Sequence, residues 1–212
     1  MVDASWRPRS AVAVLGGSLR YTDQQIRAGF LVGRELARMG KVVVTGATSG
    51  VPYAAALGAH AADGLVVGIS PAASADEHLS SGKPLWQADV VIYTGMGTEG
   101  RSPLILRSVQ AAVFVGGEFG TLGEFCSGWI SGVPVLGVLE GVGGLTDSIP
   151  SLVQAVASSW GSRVVYSADP RTLTLDVARL VESLPTAIGH VESGDDVRDM
   201  LGALAEPNHA GR

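Results

Sequence analysis

Short apolar runs, most of them rich in valine, recur along this chain with helix-length segments between them. They lie at 11–15, 41–45, 65–69, 90–93, 111–115 and 133–138, with a weaker run at 163–166. None alternates polar with apolar residues, and strands buried on both faces have that pattern. The segments between them read as helices. Thr22-x-x-Gln25 has the form of a capping box, and Ile26, Phe30, Gly33 and Ala37 fall on one helical face before a stop at Gly40. Residues 52–62 are alanine-rich, Pro103 suits a helical first turn, and 121–129 and 147–158 complete the set. Strands alternating with helices predict an α/β, Rossmann-like fold with a mainly parallel sheet and helices on both faces. Residues 1–185 are expected to form a single nucleotide-binding domain. The more polar residues 186–212 read as a C-terminal extension with a short helix over 195–204 and a frayed end.

Glycine then narrows the function. The chain has 29 among 212 residues, nearly twice the roughly 7% of an average protein. They show no three-residue period, which excludes collagen, and 46% hydrophobic against 17% charged residues excludes a disordered chain. Fifteen fall just past the C-terminal ends of predicted strands: Gly16, Gly17, Gly46, Gly50, Gly95, Gly97, Gly100, Gly116, Gly117, Gly120, Gly123, Gly137, Gly141, Gly143 and Gly144. Tight turns alone can require glycine there. Several such loops on one edge instead predict a binding site, since ligands of open α/β sheets bind at that edge.

A formal net charge of −5 argues against a basic face and a nucleic-acid partner. The single cysteine, Cys126, cannot form an internal disulfide and is expected in the core. The scattered His60, His78, His190 and His209 form no metal-binding spacing, so no metal site is expected. Trp86, Trp129 and Trp160 read as packing or interface residues. No apolar run reaches the roughly 18 residues of a membrane span, and 11–15 is too short for a signal peptide. These features predict a cytoplasmic protein with no membrane partner.

The most informative segment runs Val113-Phe114-Val115-Gly116-Gly117-Glu118-Phe119-Gly120-Thr121-Leu122-Gly123-Glu124. It reads as a strand, a glycine loop and a helix start, where free N–H groups and the helix dipole favour a phosphate. It is neither a Walker loop nor the usual dinucleotide fingerprint. Glu124 has two readings. It closes a Thr121-x-x-Glu124 capping box, or its carboxylate faces a bound sugar and orients water or stabilises an oxocarbenium-like centre. Upstream, Arg101 follows Thr94-Gly95-Met96-Gly97. It is placed to begin the next helix, as a phosphate ligand or as a surface cation. Ser18, after two glycines, is a ligand contact or a simple turn residue.

At these residues the chain resembles the LONELY GUY-like, or SLOG, group, often mislabelled as lysine decarboxylases. Within it, the molybdenum cofactor carrier branch is the nearest likeness. The resemblance rests on Leu15-Gly16-Gly17-Ser18, on Thr45-Gly46-Ala47-Thr48-Ser49-Gly50-Val51, and on Thr94-Gly95-Met96-Gly97 with Arg101 and Gly116-Gly117-x-x-Gly120-Thr121-x-x-Glu124. The phosphoribohydrolase enzymes carry one residue between the glycines, where this chain has Glu118 and Phe119. The carrier branch usually has a third glycine where Glu118 stands. A carboxylate there must point outward or pair with an arginine to tolerate a phosphate. The resemblance implies a catalytic pair at Arg101 and Glu124. It implies ligand contacts at Gly16, Gly17, Ser18, Gly46, Thr48, Gly50, Gly95, Met96, Gly97, Gly116, Gly117, Gly120 and Thr121. It further implies a small phosphorylated ligand, either molybdenum cofactor or a nucleoside monophosphate, with no cofactor required for catalysis. A homodimer or higher homo-oligomer is expected, with apolar helices such as 122–130 burying the interface. Two functions follow: a carrier that holds the ligand, or a phosphoribohydrolase cleaving a nucleoside 5′-monophosphate to base and ribose 5-phosphate. With only Lys41 and Lys83, in no pyridoxal-phosphate context, lysine decarboxylation is rejected.

Overall fold

A computed structural model describes residues 9–84, 87–156 and 162–184. Within the compact unit Arg9–Ser183 the strands are β1 (Ala11–Gly16), β2 (Val42–Thr45), β3 (Val66–Ser70), β4 (Val90–Tyr93), β5 (Ala111–Val115), β6 (Val135–Leu139) and β7 (Arg163–Ser167). The helices are α1 (Asp23–Arg38), α2 (Val51–His60), α3 (Ala75–Ser80), α4 (Gly97–Arg107), α5 (Phe119–Ser131), α6 (Ile149–Val156) and α7 (Pro170–Glu182). All seven strands are parallel, in the order β4-β3-β2-β1-β5-β6-β7. The fold is the expected Rossmann-like α/β arrangement.

Side-chain alternation along each strand separates two cores. Val12 and Val14 of β1 join Ala28, Val32 and Leu36 of α1, with α2 and α7. Ala13 and Leu15 point the other way, toward Ile105, Phe125 and Ile149 from α4, α5 and α6. Strands β5 and β6 are buried throughout, as their unbroken apolar runs predict. The edge strands differ. Val90 and Ile92 of β4 stay about half exposed, because an edge strand lacks a neighbour and its helix cover is partial.

Thr22 caps α1 as predicted, with Gln25 completing the reciprocal pair, and Gly40 follows the helix at φ +69°. The buried stripe of α1 is Gln25, Ala28, Gly29, Val32 and Leu36, whereas Ile26, Phe30 and Ala37 are only half-buried. Gly33 is buried for another reason. A Cβ there would sit 1.9 Å from the Ala55 carbonyl oxygen, so α1 and α2 approach backbone to backbone.

Several local expectations are corrected. Helix α4 begins at Gly97, so Arg101 and Pro103 lie inside it and not in its first turn. Gly137 is in the middle of β6, where a Cβ would meet Val177 of α7 at 2.7 Å; it makes room for a helix and does not form a loop. Cys126 is exposed on the outer side of α5, not in the core. The described part of the helix expected over 147–158 divides into a 3-10 turn at Leu145–Ser148 and α6. The helix expected over 195–204, Trp86, Trp160, His190 and His209 lie outside the described residues.

Candidate functional site

Because every strand is parallel, all their C-terminal ends share one edge. The chain winds outward from β1 to β4, then returns through α4 to β5 on the other side of β1. That reversal opens a crevice at a topological switch point. A cleft of about 210 Å³ lies there. Gly16, Gly17, Ser18, Leu19 and Arg20 line it after β1, and Gly46, Thr48 and Pro52 after β2. Thr98, Glu99, Arg101 and Ser102 come from α4, and Glu118, Gly120, Thr121 and Glu124 from the start of α5.

Arg101 occupies the inner part of this cleft. It is 4% exposed, and its Nη1 donates to the Ile69 carbonyl at 3.4 Å. Its Nε is buried without a hydrogen-bond partner, as is Thr48 Oγ1. Gly46 makes the position possible, since a Cβ there would fall 1.6 Å from Arg101 Nη1. Burial lowers the guanidinium pKa, and attraction from Glu124 and Glu99 opposes that shift. The group remains a cation, because arginine is not deprotonated in proteins.

Glu124 Oε1 accepts a hydrogen bond from Ser102 Oγ at 2.9 Å. Burial pushes its carboxyl pKa up. The Arg101 charge and the Ser102 bond resist the shift, and the Glu99 carboxylate adds to it. The capping-box reading of Glu124 is overturned. Helix α5 starts at Phe119 with Glu118 as N-cap, so Thr121 already lies inside the first turn. Glu124 is therefore free of capping duty and lines the cleft.

No side chain caps the N-terminus of α5. The first N–H groups of a helix lack intrahelical acceptors, so this 13-residue helix presents donors and a positive dipole end to the cleft. Glu118 does not cancel this field from within. It lies 3.6 Å from Arg20 Nη1, with side chains 61% and 83% exposed, on the solvent rim. So exposed a pair is weak and screened by salt.

Of the residues singled out from sequence, the cleft brings together Gly16, Gly17, Ser18, Gly46, Thr48, Arg101, Gly120, Thr121 and Glu124. Gly50, Gly95, Met96, Gly97, Gly116 and Gly117 do not line it. They shape the loops behind it. Gly117 has φ +82°, and a Cβ there would sit 2.0 Å from Thr121 Oγ1. Gly95 and Gly97 donate N–H bonds to the Ala72 and Pro71 carbonyls, tying the loop before α4 to the loop after β3. Met96 is 54% exposed. Sequence reasoning did not place Thr98, Glu99 and Ser102 in the lining, because it started the helix at Arg101. Their spacing from Arg101 is the signal: residues 98, 101 and 102 share one face of any helix that spans them.

With this geometry in place, relatives become informative. A family model described as "LDcluster4: SLOG cluster4 family" matches residues 9–174. The chain belongs to the SLOG cluster4 family. An uncharacterized protein of Archaeoglobus fulgidus is 36% identical to this SLOG chain over 104 residues, 48% of this chain and 62% of that protein. The chain thus matches less than two thirds of that relative's length. Among solved structures, the structural-genomics protein TM1055 is 25% identical, with a TM-score of 0.66 over 82% of this chain and 99% of its own. The molybdenum cofactor carrier protein of Chlamydomonas reinhardtii is 21% identical, with a TM-score of 0.67 over 83% of this chain and all of its own; that likeness is one of fold. Among the described residues, no His, Cys, Asp and Glu side chains group to hold a metal ion, and no helix is long and apolar enough to cross a membrane.

Proposed function

We propose that this SLOG chain binds a small phosphorylated, nucleotide-like ligand in the cleft and holds it as a carrier, with molybdenum cofactor or a nucleoside monophosphate as the cargo class. One observation carries the reading. A buried guanidinium with an unpartnered Nε lines the same cleft as the uncapped N-terminus of α5. A phosphate would accept from the free N–H groups of α5 and balance the guanidinium charge beside them, in a site partly shielded from water. The remaining lining offers polar partners to the organic part of either cargo. Glu99 and Glu124 accept hydrogen bonds, from ribose hydroxyls in one case and from pterin N–H groups in the other. The shared fold of the Chlamydomonas carrier supports this class of ligand.

One observation favours hydrolysis as a second reading. Glu124 is released from capping, held by Ser102, and raised in pKa beside a buried arginine. In that reading Arg101 holds the phosphate or ribose. Glu124 orients water toward C1′ as the bond to the base nitrogen breaks, and a proton from that water passes to the departing base.

The test is to incubate the protein with AMP and modified adenosine monophosphates, measuring thermal stabilisation and free base together. Stabilisation without base release supports the carrier. Base release that disappears in Glu124→Gln supports the hydrolase. No stabilisation by any phosphorylated ligand, and no turnover, refutes both.

A further inference from the structure

The mouth of the cleft holds a second guanidinium. Arg20 lines the cleft from the loop after β1, and its side chain is 83% exposed. The backbone beneath it is fixed. The Gly17 carbonyl accepts the Val51 N–H at 2.8 Å, and the Ser18 carbonyl accepts the Ser49 hydroxyl at 2.7 Å, so the loop after β2 holds it on one side. The Thr22 cap fixes the start of α1 on the other. Gly17 lets the loop fold back on itself, since a Cβ there would sit 2.5 Å from the Arg20 carbonyl oxygen. The Arg20 side chain is the free part. Its Nη1 lies 3.6 Å from Glu118 Oε1, too far for a hydrogen bond. Glu118 immediately precedes Phe119, the first residue of α5, so this guanidinium stands at the uncapped helix end.

We propose that Arg20 is a second ligand for the phosphate and changes partners on binding, leaving Glu118 for the phosphate oxygens, a step that rests on the phosphate-binding reading of the cleft. Among the described residues, two arginines and three glutamates line the cleft. Arg101, the inner cation, already feels the attraction of Glu124 and Glu99. A phosphate monoester brings about −1.5 to −2 charges at neutral pH. Arg101 alone does not balance that, and Arg20 is the other cation of the lining. Glu118 holds it loosely, because an ion pair so exposed contributes little. A phosphate offers the planar guanidinium two parallel N–H bonds instead. With the backbone anchored, the exchange needs only a side-chain rotation, which exposed residues make in picoseconds to nanoseconds. Glu118 opposes it. The carboxylate gives up its cation and then faces a phosphate of its own sign at the helix end. Glu118 therefore lowers the affinity that Arg20 supplies, and it takes the arginine back when the ligand leaves. A carrier that hands on its cargo gains a faster release from such a competitor.

Titration calorimetry on the full chain at low salt tests the exchange, with AMP and inorganic phosphate as probes. The proteins are the wild type, Arg20→Ala, Glu118→Gln and the double variant. Both positions are exposed, so melting temperatures without ligand are expected to match. Arg20→Ala should weaken binding about 3- to 10-fold, the share of one hydrogen-bonded contact. Glu118→Gln should tighten it by about 2- to 5-fold or more. The decisive comparison is between backgrounds. Arg20→Ala should cost about 2- to 5-fold more affinity in Glu118→Gln than in the wild type, because the arginine there has no rival partner to leave. An equal loss in both backgrounds overturns the exchange, since Arg20 would then meet the phosphate without leaving Glu118. A loss confined to the wild-type background overturns it too, reducing Arg20 to a screen for Glu118. Unchanged affinity in Arg20→Ala removes it as a ligand. Each of these outcomes leaves the phosphate reading of the cleft standing. A wild type that binds neither probe is a separate failure, which removes that reading and this inference with it.

Discussion

Gly46→Ala isolates what the buried arginine does. The added methyl would lie 1.6 Å from Arg101 Nη1 and 2.4 Å from Cζ, so one of the two groups must move. Gly46 does not have a left-handed φ, so alanine costs little in backbone strain there. The guanidinium is the end of a flexible side chain and swings out of the cleft. It loses the long bond to the Ile69 carbonyl but regains water, which burial had denied it. Stability should therefore fall by no more than about 1 kcal/mol, or roughly 2–4 °C in melting temperature for a chain of this size. Affinity for a phosphorylated ligand should fall much further. A hydrogen bond to a charged group contributes about 1.5–3 kcal/mol, a loss of roughly 10- to 150-fold. Titration calorimetry with AMP on the wild type, Gly46→Ala, Arg101→Ala and the double variant forms the cycle. If Gly46 acts by making room for Arg101, the glycine substitution adds nothing once the arginine is gone. Additive losses, or undiminished affinity in Gly46→Ala, would refute the argument that this glycine exists to seat the guanidinium.

Four further substitutions have outcomes set by the structure. Glu124→Gln should raise the melting temperature at neutral pH. A carboxyl whose pKa rises on folding stabilises fully below the ordinary carboxylate range, and that contribution is lost as pH climbs through the raised value. The advantage of the glutamine should shrink as the pH is lowered, and a melting series across pH that shows the reverse slope would contradict the burial argument. Gly33→Ala should destabilise by about 1–3 kcal/mol or more, because its Cβ meets the Ala55 backbone and cannot be relieved by a side-chain rotation. Gly123→Ala, in open space on α5, should instead stabilise by about 0.5–1 kcal/mol through helix propensity; chemical denaturation of both variants gives the comparison. Thr22→Ala should cost about 1 kcal/mol, since Thr22 Oγ1 accepts the Gln25 N–H that opens α1. A denaturation midpoint unchanged in Thr22→Ala would show that Gln25, which also bonds the Val142 and Gly143 carbonyls, holds that helix end by itself.

Local chemistry made much of this fold legible in one dimension. Unbroken apolar runs specify strands covered on both faces, and the Thr22–Gln25 pair specifies a helix start; both depend on neighbours in sequence. The glycine loops after β1, β2 and β5 were likewise readable as a ligand edge, because parallel strands must all end on the same side. Helix starts were less legible. The first turns of α4 and α5 carry Gly97, Gly100 and Gly120, which have weak helical preference by themselves, and they form because the packed remainder of each helix fixes them. That shift of a few residues moved Thr98 and Glu99 into the cleft and took Glu124 out of a cap.

By itself, then, the sequence determined the α/β class, the direction of the sheet and the presence of a glycine-lined edge. Each of these follows from periodicity and from the steric freedom of single residues. Only the tertiary structure decided which glycines face a ligand and which face protein. Gly16 and Gly46 border the cleft, Gly117 and Gly50 brace the loops behind it, and Gly33 and Gly137 admit a neighbouring helix. A missing Cβ looks the same in every case along the chain. What it is missing for depends on the atom that packs opposite it, and that atom comes from far away in sequence.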